Sequence, residues 1–237
     1  FNSIFKLCLQ DQDEEVQIKA IEGLWENEEP SLIDQLINRL GQSSSERVQT
    51  AAATALGKFA ILAEDKKLRP YYLVKIQEVL LTAFNDKNKP VEVRRRALEA
   101  AAPLSLPRVK TAIREAYKST NTRLKVSAIY AMGKNCDPYW LPILLKELAN
   151  TDSEVRYEAA GACGEMEEEA AVPHLTRLVK DPDVDVQMAA IRALGKIGGT
   201  MAKECLESYL DNISEAIRQA AEQALLELET KADQLLF

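Results

Sequence analysis

The residues of this 237-residue chain that could carry chemistry are few. His174 is its one histidine, and a group that titrates near neutrality serves as a general base or a metal ligand. It follows Pro173 and shares its place in an internal repeat with Leu36, Ala112, Ile143 and Cys205. That company predicts a packed, hydrogen-bonded imidazole and not a catalytic one. Cys8, Cys136, Cys163 and Cys205 contain no C-x-x-C pair, the spacing that metal sites and redox dithiols use. They are expected to be reduced structural thiols. Glu167, Glu168 and Glu169 could offer oxygens to a cation, but a run of like charge at a turn predicts a solvated acidic segment. No G-x-x-x-x-G-K phosphate loop is present. Gly57, Gly133, Gly164 and Gly195 are expected to end helices. This inventory predicts no catalytic residue, no metal, no cofactor and no obligate small molecule.

The elements that would position these residues follow from a seven-fold repeat. Its anchors are Val16, Val48, Val93, Leu124, Val155, Val186 and Ile217, spaced 32, 45, 31, 31, 31 and 31 residues apart. A fixed period of this size marks a repeat array. A long polar residue (Gln, Arg or Lys) follows each anchor. Four residues on stands Ala20, Ala52, Ala97, Ala128, Ala159, Ala190 or Ala221. Small residues recur at offset 7 and mostly larger apolar ones at offset 8. Offsets 0, 4, 7 and 8 fall on one stripe of a 3.6-residue helix, the second helix of each repeat. The small members let a neighbouring helix approach closely.

Start signals support these boundaries. Asp13, Ser45, Asn121, Asp152, Asp183 and Ser214 precede the anchors by three, and their side chains can accept the free amides of a first turn. In the third repeat Pro90 holds that place, so Asn88 is expected to cap with Pro90 in the first turn. A first, apolar helix precedes each second one, with Pro30, Pro70, Pro107, Pro142 and Pro173 marking these segments. No segment alternates with period two, so no strand is expected. The 45-residue spacing hides about 14 extra residues, whose Phe59, Ile61 and Leu62 predict an extended, packed helix. Offset 5 is Ile21, Ala53, Leu98, Ile129, Ala160 and Ile191, then Glu222. A polar outer face is what a terminal cap needs, so a capping repeat is expected at about 200–230.

The segments Asp152–Gly164 (DSEVRYEAAGACG) and Asp183–Gly195 (DVDVQMAAIRALG) resemble the HEAT family. The resemblance runs through nearly the whole chain, and the 31-residue unit looks most like the short HEAT-like repeats of phycobilin lyases. It implies an all-α, right-handed α-solenoid of about seven helix pairs, one domain over 1–237. HEAT-like di-iron hydroxylases depend on several His–Glu pairs, which one histidine cannot supply. HEAT-like DNA glycosylases are basic, whereas this chain has a net charge of -7. The chain opens at Phe1, already in an apolar segment, which predicts a trimmed N-terminus.

Composition and charge complete the expectations. At 46% apolar residues the chain can bury a continuous core. No run spans a membrane and no signal peptide is recognisable, so a cytoplasmic protein is expected. Residues 1–46 carry a net -7, residues 86–125 a net +7 and residues 126–237 a net -10. The basic island contains Arg95 and Arg96 and a stripe of Lys110, Arg114 and Lys118, which fits an acidic partner, a phosphate ligand or nucleic acid. Scarce aromatic residues argue against nucleic acid. HEAT-like solenoids line their concave side with the second helices, whose offsets 2, 6 and 10 leave the core. Arg95, Val126, Tyr130, Tyr157, Met188 and Arg192 are therefore expected to be exposed and to bind a partner, being of types enriched at interfaces. The sequence predicts a non-enzymatic scaffold that binds a protein partner, acidic where the island takes part. A bilin-lyase-like subunit and a nucleic-acid or phosphate-ligand binder are the alternatives.

Overall fold

The computed structural model describes the backbone of residues 2–234. It is all-α, and among the described residues no strand occurs. The second helices of the repeats are α2 (Glu14–Gly23), α4 (Glu46–Glu64), α6 (Val91–Ala101), α8 (Thr122–Asn135), α10 (Ser153–Met166), α12 (Val184–Ile197) and α14 (Glu215–Gln234), and all of them except α6 start at the predicted caps. The helices before them are α1 (Asn2–Cys8), α3 (Ser31–Gln42), α5 (Pro70–Asn85), α7 (Pro107–Tyr117), α9 (Leu141–Glu147), α11 (Val172–Leu178) and α13 (Thr200–Glu207). The chain divides into two compact units, one up to residue 131 and one from residue 132. In the first, α2, α4 and α6 lie side by side, with α3 and α5 packed on α4 and α7 on α6. In the second, α10, α12 and α14 form the row, backed by α9, α11 and α13. No described helix is long and apolar enough to cross a membrane.

Local chemistry explains why each second helix starts where it does. Asp13, Asp152 and Asp183 accept amides of Glu15, Glu154 and Asp185 at 2.8, 2.9 and 2.9 Å. Ser45 accepts from Val48 at 3.3 Å and Asn121 from Leu124 at 3.3 Å. In α6 the cap is Pro90 itself, without a side-chain bond. Asn88 therefore does not cap it; its amide instead donates to Asp86 at 2.9 Å. The long polar residue after the anchor bonds back to the preceding turn. Gln17, Gln49, Arg156, Gln187 and Arg218 donate to the carbonyls of Asp11, Ser43, Asn150, Asp181 and Asn212 at 2.6–2.9 Å. These bonds satisfy turn carbonyls that would otherwise be left unpaired beside the core.

Packing follows the repeat register. The offset-4 alanines are 0–1% exposed, and offset 5 is buried from Ile21 to Ile191, whereas Glu222 is exposed. The four glycines do not end helices: each lies inside one, against the next second helix. A Cβ on Gly133 would sit 2.6 Å from the Ala162 Cα, and one on Gly195 would sit 2.7 Å from the Ala224 Cβ. Helix ends are made elsewhere, at Glu167 (φ 54°) and at Gly198 (φ 81°). In the insertion Phe59 and Leu62 are buried, but Ile61 is 49% exposed, because it lies on the far side of α4 from them. Ala159→Leu is expected to lower stability by about 1–3 kcal/mol, since three extra heavy atoms must enter a filled contact; thermal melting measures it, and an unchanged midpoint would contradict the register.

Candidate partner-binding surfaces

In the first unit the arginines of α6 are tied into the fold. Arg95 donates to Ser127 at 2.8 Å and pairs with Glu92 at 2.8 Å and Glu99 at 3.7 Å. Arg96 pairs with Glu92 at 3.1 Å and Glu99 at 2.8 Å. Ser127 in turn donates to Glu99 at 2.6 Å. Two cations and two carboxylates neutralise each other on the joint between α6 and α8. Burial pushes Arg96 toward the neutral form, but Glu99 and Glu92 outweigh it and its pKa rises. Arg94 donates to the Phe84 carbonyl at 2.8 Å and lies over the Phe84 ring. The basic island therefore reaches solvent mainly through α7, where Arg114 and Lys118 are exposed and Lys110 half-buried.

Val126 departs from expectation, being only 3% exposed. Its neighbour Ser127 is fully buried too and bonds to Arg95 and Glu99 of α6, so this stretch of α8 is enclosed at the joint with α6. Tyr130, one turn on, is longer and remains 38% exposed.

In the second unit Tyr157 on α10 is 38% exposed, Met188 on α12 half-buried and Arg192 exposed. Two depressions flank Arg192. One, of about 400 Å³, is lined by Ser153, Glu154, Tyr157, Asp183, Asp185 and Arg192. The other, of about 420 Å³, includes Met188, Arg192, Gln219, Gln223 and Glu227. The sequence assigns Asp183 only to a helix start. That role is real, and it conceals that Asp183 also borders the Tyr157 depression with Glu154 and Asp185.

Two ion-pair systems stiffen this unit. Arg156 makes a two-pronged contact with Asp181, both arms at 2.8 Å, and their side chains are 13% and 7% exposed. The Arg156 hydrogen bonds hold the Asp181 carboxyl below its ordinary pKa. Glu165 bridges Lys134, at 2.7 Å, and Lys196. Burial raises the Glu165 pKa, yet the hydrogen bonds from the two lysines prevail and it is lowered overall.

The catalytic candidates can now be placed. His174 is half-buried on α11, as are its repeat equivalents Ile143 and Cys205, whereas Leu36 and Ala112 are buried. Cys163 is fully buried, which pushes its thiol up to about 12 and leaves almost no thiolate at neutral pH. Cys136 is exposed and its thiol is raised, first by burial and then by Glu165. Among the described residues no group of three or more His, Cys, Asp or Glu side chains is arranged to hold a metal. With one histidine in the chain, the donors do not fit a centre built from several His–Glu pairs.

Side-by-side second helices backed by first helices define a helix-pair repeat array of the α-solenoid class. The model for HEAT repeats matches residues 2–70 and 141–226, and the chain belongs to the HEAT-repeat family. It is 32% identical over 122 residues to deoxyhypusine hydroxylase of Drosophila pseudoobscura pseudoobscura, covering 51% of this chain and 40% of that protein. It is 29% identical over 122 residues to the deoxyhypusine hydroxylase of Candida albicans, covering 51% and 37%. The matches thus span about two fifths of these relatives' length. Among solved structures, the CpcE–CpcF complex of phycocyanin lyase from Nostoc sp. PCC7120 aligns with a TM-score of 0.64 at 17% identity, covering 97% of this chain and 94% of that one. Kap121p bound to Pho4p aligns with a TM-score of 0.61 at 18% identity, covering 97% and 27%. Both show the shared fold.

These relatives overturn the expectation of a non-enzymatic scaffold, because the curated proteins that match are enzymes. The reason it failed is physical. The repeat signature records helix packing, which is the same in an enzyme and in a binding array, and a scarcity of histidine cannot exclude an enzymatic role.

Proposed function

We propose that this chain is the protein-recognising part of an enzyme related to the deoxyhypusine hydroxylases, holding a protein on the outward side of its second helices. The observation that carries this reading is the 32% identity over 122 residues to such an enzyme, in a chain whose donors do not fit the metal centre. The exposed Tyr157 and Arg192 supply the anchor types that dominate protein interfaces. The stripe of Arg114 and Lys118, with Lys110 beside it, supplies a second contact, for an acidic segment. The names of the aligned complexes, CpcE with CpcF and Kap121p with Pho4p, describe protein–protein assemblies and support a protein ligand here.

The test uses the purified chain, ferrous iron and a protein bearing deoxyhypusine, with binding and hydroxylation measured separately. Retention of that protein is expected, and its absence would contradict recognition. Tyr157→Ala should weaken retention about tenfold and leave the melting midpoint within about 1 °C, because its side chain lies outside the core.

A further inference from the structure

The outward face of α10, α12 and α14 differs in charge from the α7 stripe. The unit that contains it has 20 acidic and 10 basic side chains. Glu154, Asp183 and Asp185 border one depression beside the Tyr157 ring, and Glu227 borders the other. Glu154 and Asp185 form no ion pair among the described residues, in contrast to Asp181 and Glu165 nearby. Three carboxylates and one cation, Arg192, line the Tyr157 depression, so it keeps an excess of negative charge. Gly161 stands one helical turn beyond Tyr157 on α10, and a Cβ built there meets nothing within 4 Å. The outward side of α10 next to the Tyr157 depression is therefore open.

We propose that this face docks a basic, lysine- or arginine-bearing segment of the protein that the enzyme recognises. The proposal rests on the recognition reading above and adds the charge of the segment and its place. A cationic side chain can enter the Tyr157 depression between the Glu154 and Asp185 carboxylates, with its alkyl stem on the ring. An ammonium or guanidinium near an aromatic face gains from the ring quadrupole. Met188 offers an adaptable apolar contact one helix over. Arg192, between the depressions, presents N–H donors that can take backbone carbonyls of an extended segment. Complementary charge also speeds encounter and makes affinity fall with salt.

Fluorescence anisotropy with a labelled Lys/Arg-containing peptide of about ten residues tests this, with a Glu-containing peptide of equal length as control. The basic peptide should bind and the acidic one should not. Glu154→Gln combined with Asp185→Asn should weaken binding about tenfold, and Tyr157→Ala by a similar factor. Gly161→Arg should weaken it too without lowering the melting midpoint, since the site has room and the new charge repels the ligand. Removing two exposed carboxylates elsewhere in the same unit, Glu204→Gln with Glu222→Gln, should change affinity less than twofold. If that pair matters as much as Glu154 and Asp185, the attraction is diffuse and the proposal is overturned. Preference for the acidic peptide, or indifference to all the face variants, overturns it as well. Where the deoxyhypusine-bearing protein is retained but the basic peptide is not bound, this inference fails and the recognition reading survives.

Discussion

Gly195→Leu is expected to destabilise the second unit by about 3 kcal/mol, a fall in the melting midpoint of about 6–12 °C. Gly195 lies mid-helix in α12, and even a single Cβ would approach the Ala224 Cβ to 2.7 Å and its Cα to 2.9 Å. The obstacle is the wall of α14 and not a flexible side-chain tip, so relief requires the two helices to separate. Separation opens voids around Ala193 and Ala221, both now almost fully buried, and close-packed interiors resist that. Gly161→Ala is the matched control. It is a mid-helix glycine facing open space, and alanine there should stabilise by up to about 1 kcal/mol through helix propensity. Thermal or urea unfolding of both variants checks the pair; equal effects would show that helix propensity, not contact, governs these positions.

The second large effect is expected at the joint between α10 and the turn before α12. Arg156→Ala should cost about 3 kcal/mol, because it strands the nearly buried Asp181 carboxylate and frees the carbonyls of Asn150 and Thr151. Arg47→Ala, which breaks well-exposed pairs with Glu14 and Glu15, should cost far less, because solvent screens both partners. The Arg156–Asp181 pair also carries a pH response. The native pKa of Asp181 is depressed, chiefly by its hydrogen bonds to Arg156. Its contribution is therefore complete above the unfolded carboxylate pKa of about 3.9 and lost as the pH falls through the lower native value. The stability gap between the parent and Asp181→Asn should hold from pH 7 to pH 5 and close only below about pH 4. A gap that closes near pH 6 would place the linkage on another group.

The fold was legible because repeat packing writes itself into sequence. Offsets 4 and 5 must be small or apolar to pack, and the caps must accept amides, so both recur with the period. The glycines were legible as a pattern but not in meaning. Glycine after the offset-8 residue reads equally as a helix end or as a close contact, and only the 2.6 Å approach at Gly133 decides between them. Ionic pairing was not legible at all. The basic island counts as net +7 along the chain, yet Arg95 and Arg96 share Glu92 and Glu99 across a single helix face. Val126 was misplaced for a related reason, since the bonds that join α8 to α6 at Ser127 enclose this stretch and the offset pattern does not record them. Tyr157 and Arg192 were found because their offsets place them off the core. The carboxylates beside them were missed because one residue can both start a helix and line a surface.

The most direct test of the account is carboxyl footprinting of the intact protein, alone and with the deoxyhypusine-bearing protein bound, using a carbodiimide and an amine label with peptide mass analysis. The account predicts that Glu154 and Asp185 label readily alone and are protected in the complex, while Glu204 and Glu222 label equally in both. Unchanged labelling of Glu154 and Asp185, with protection confined to other carboxylates, would contradict recognition through the outward face of α10 and α12.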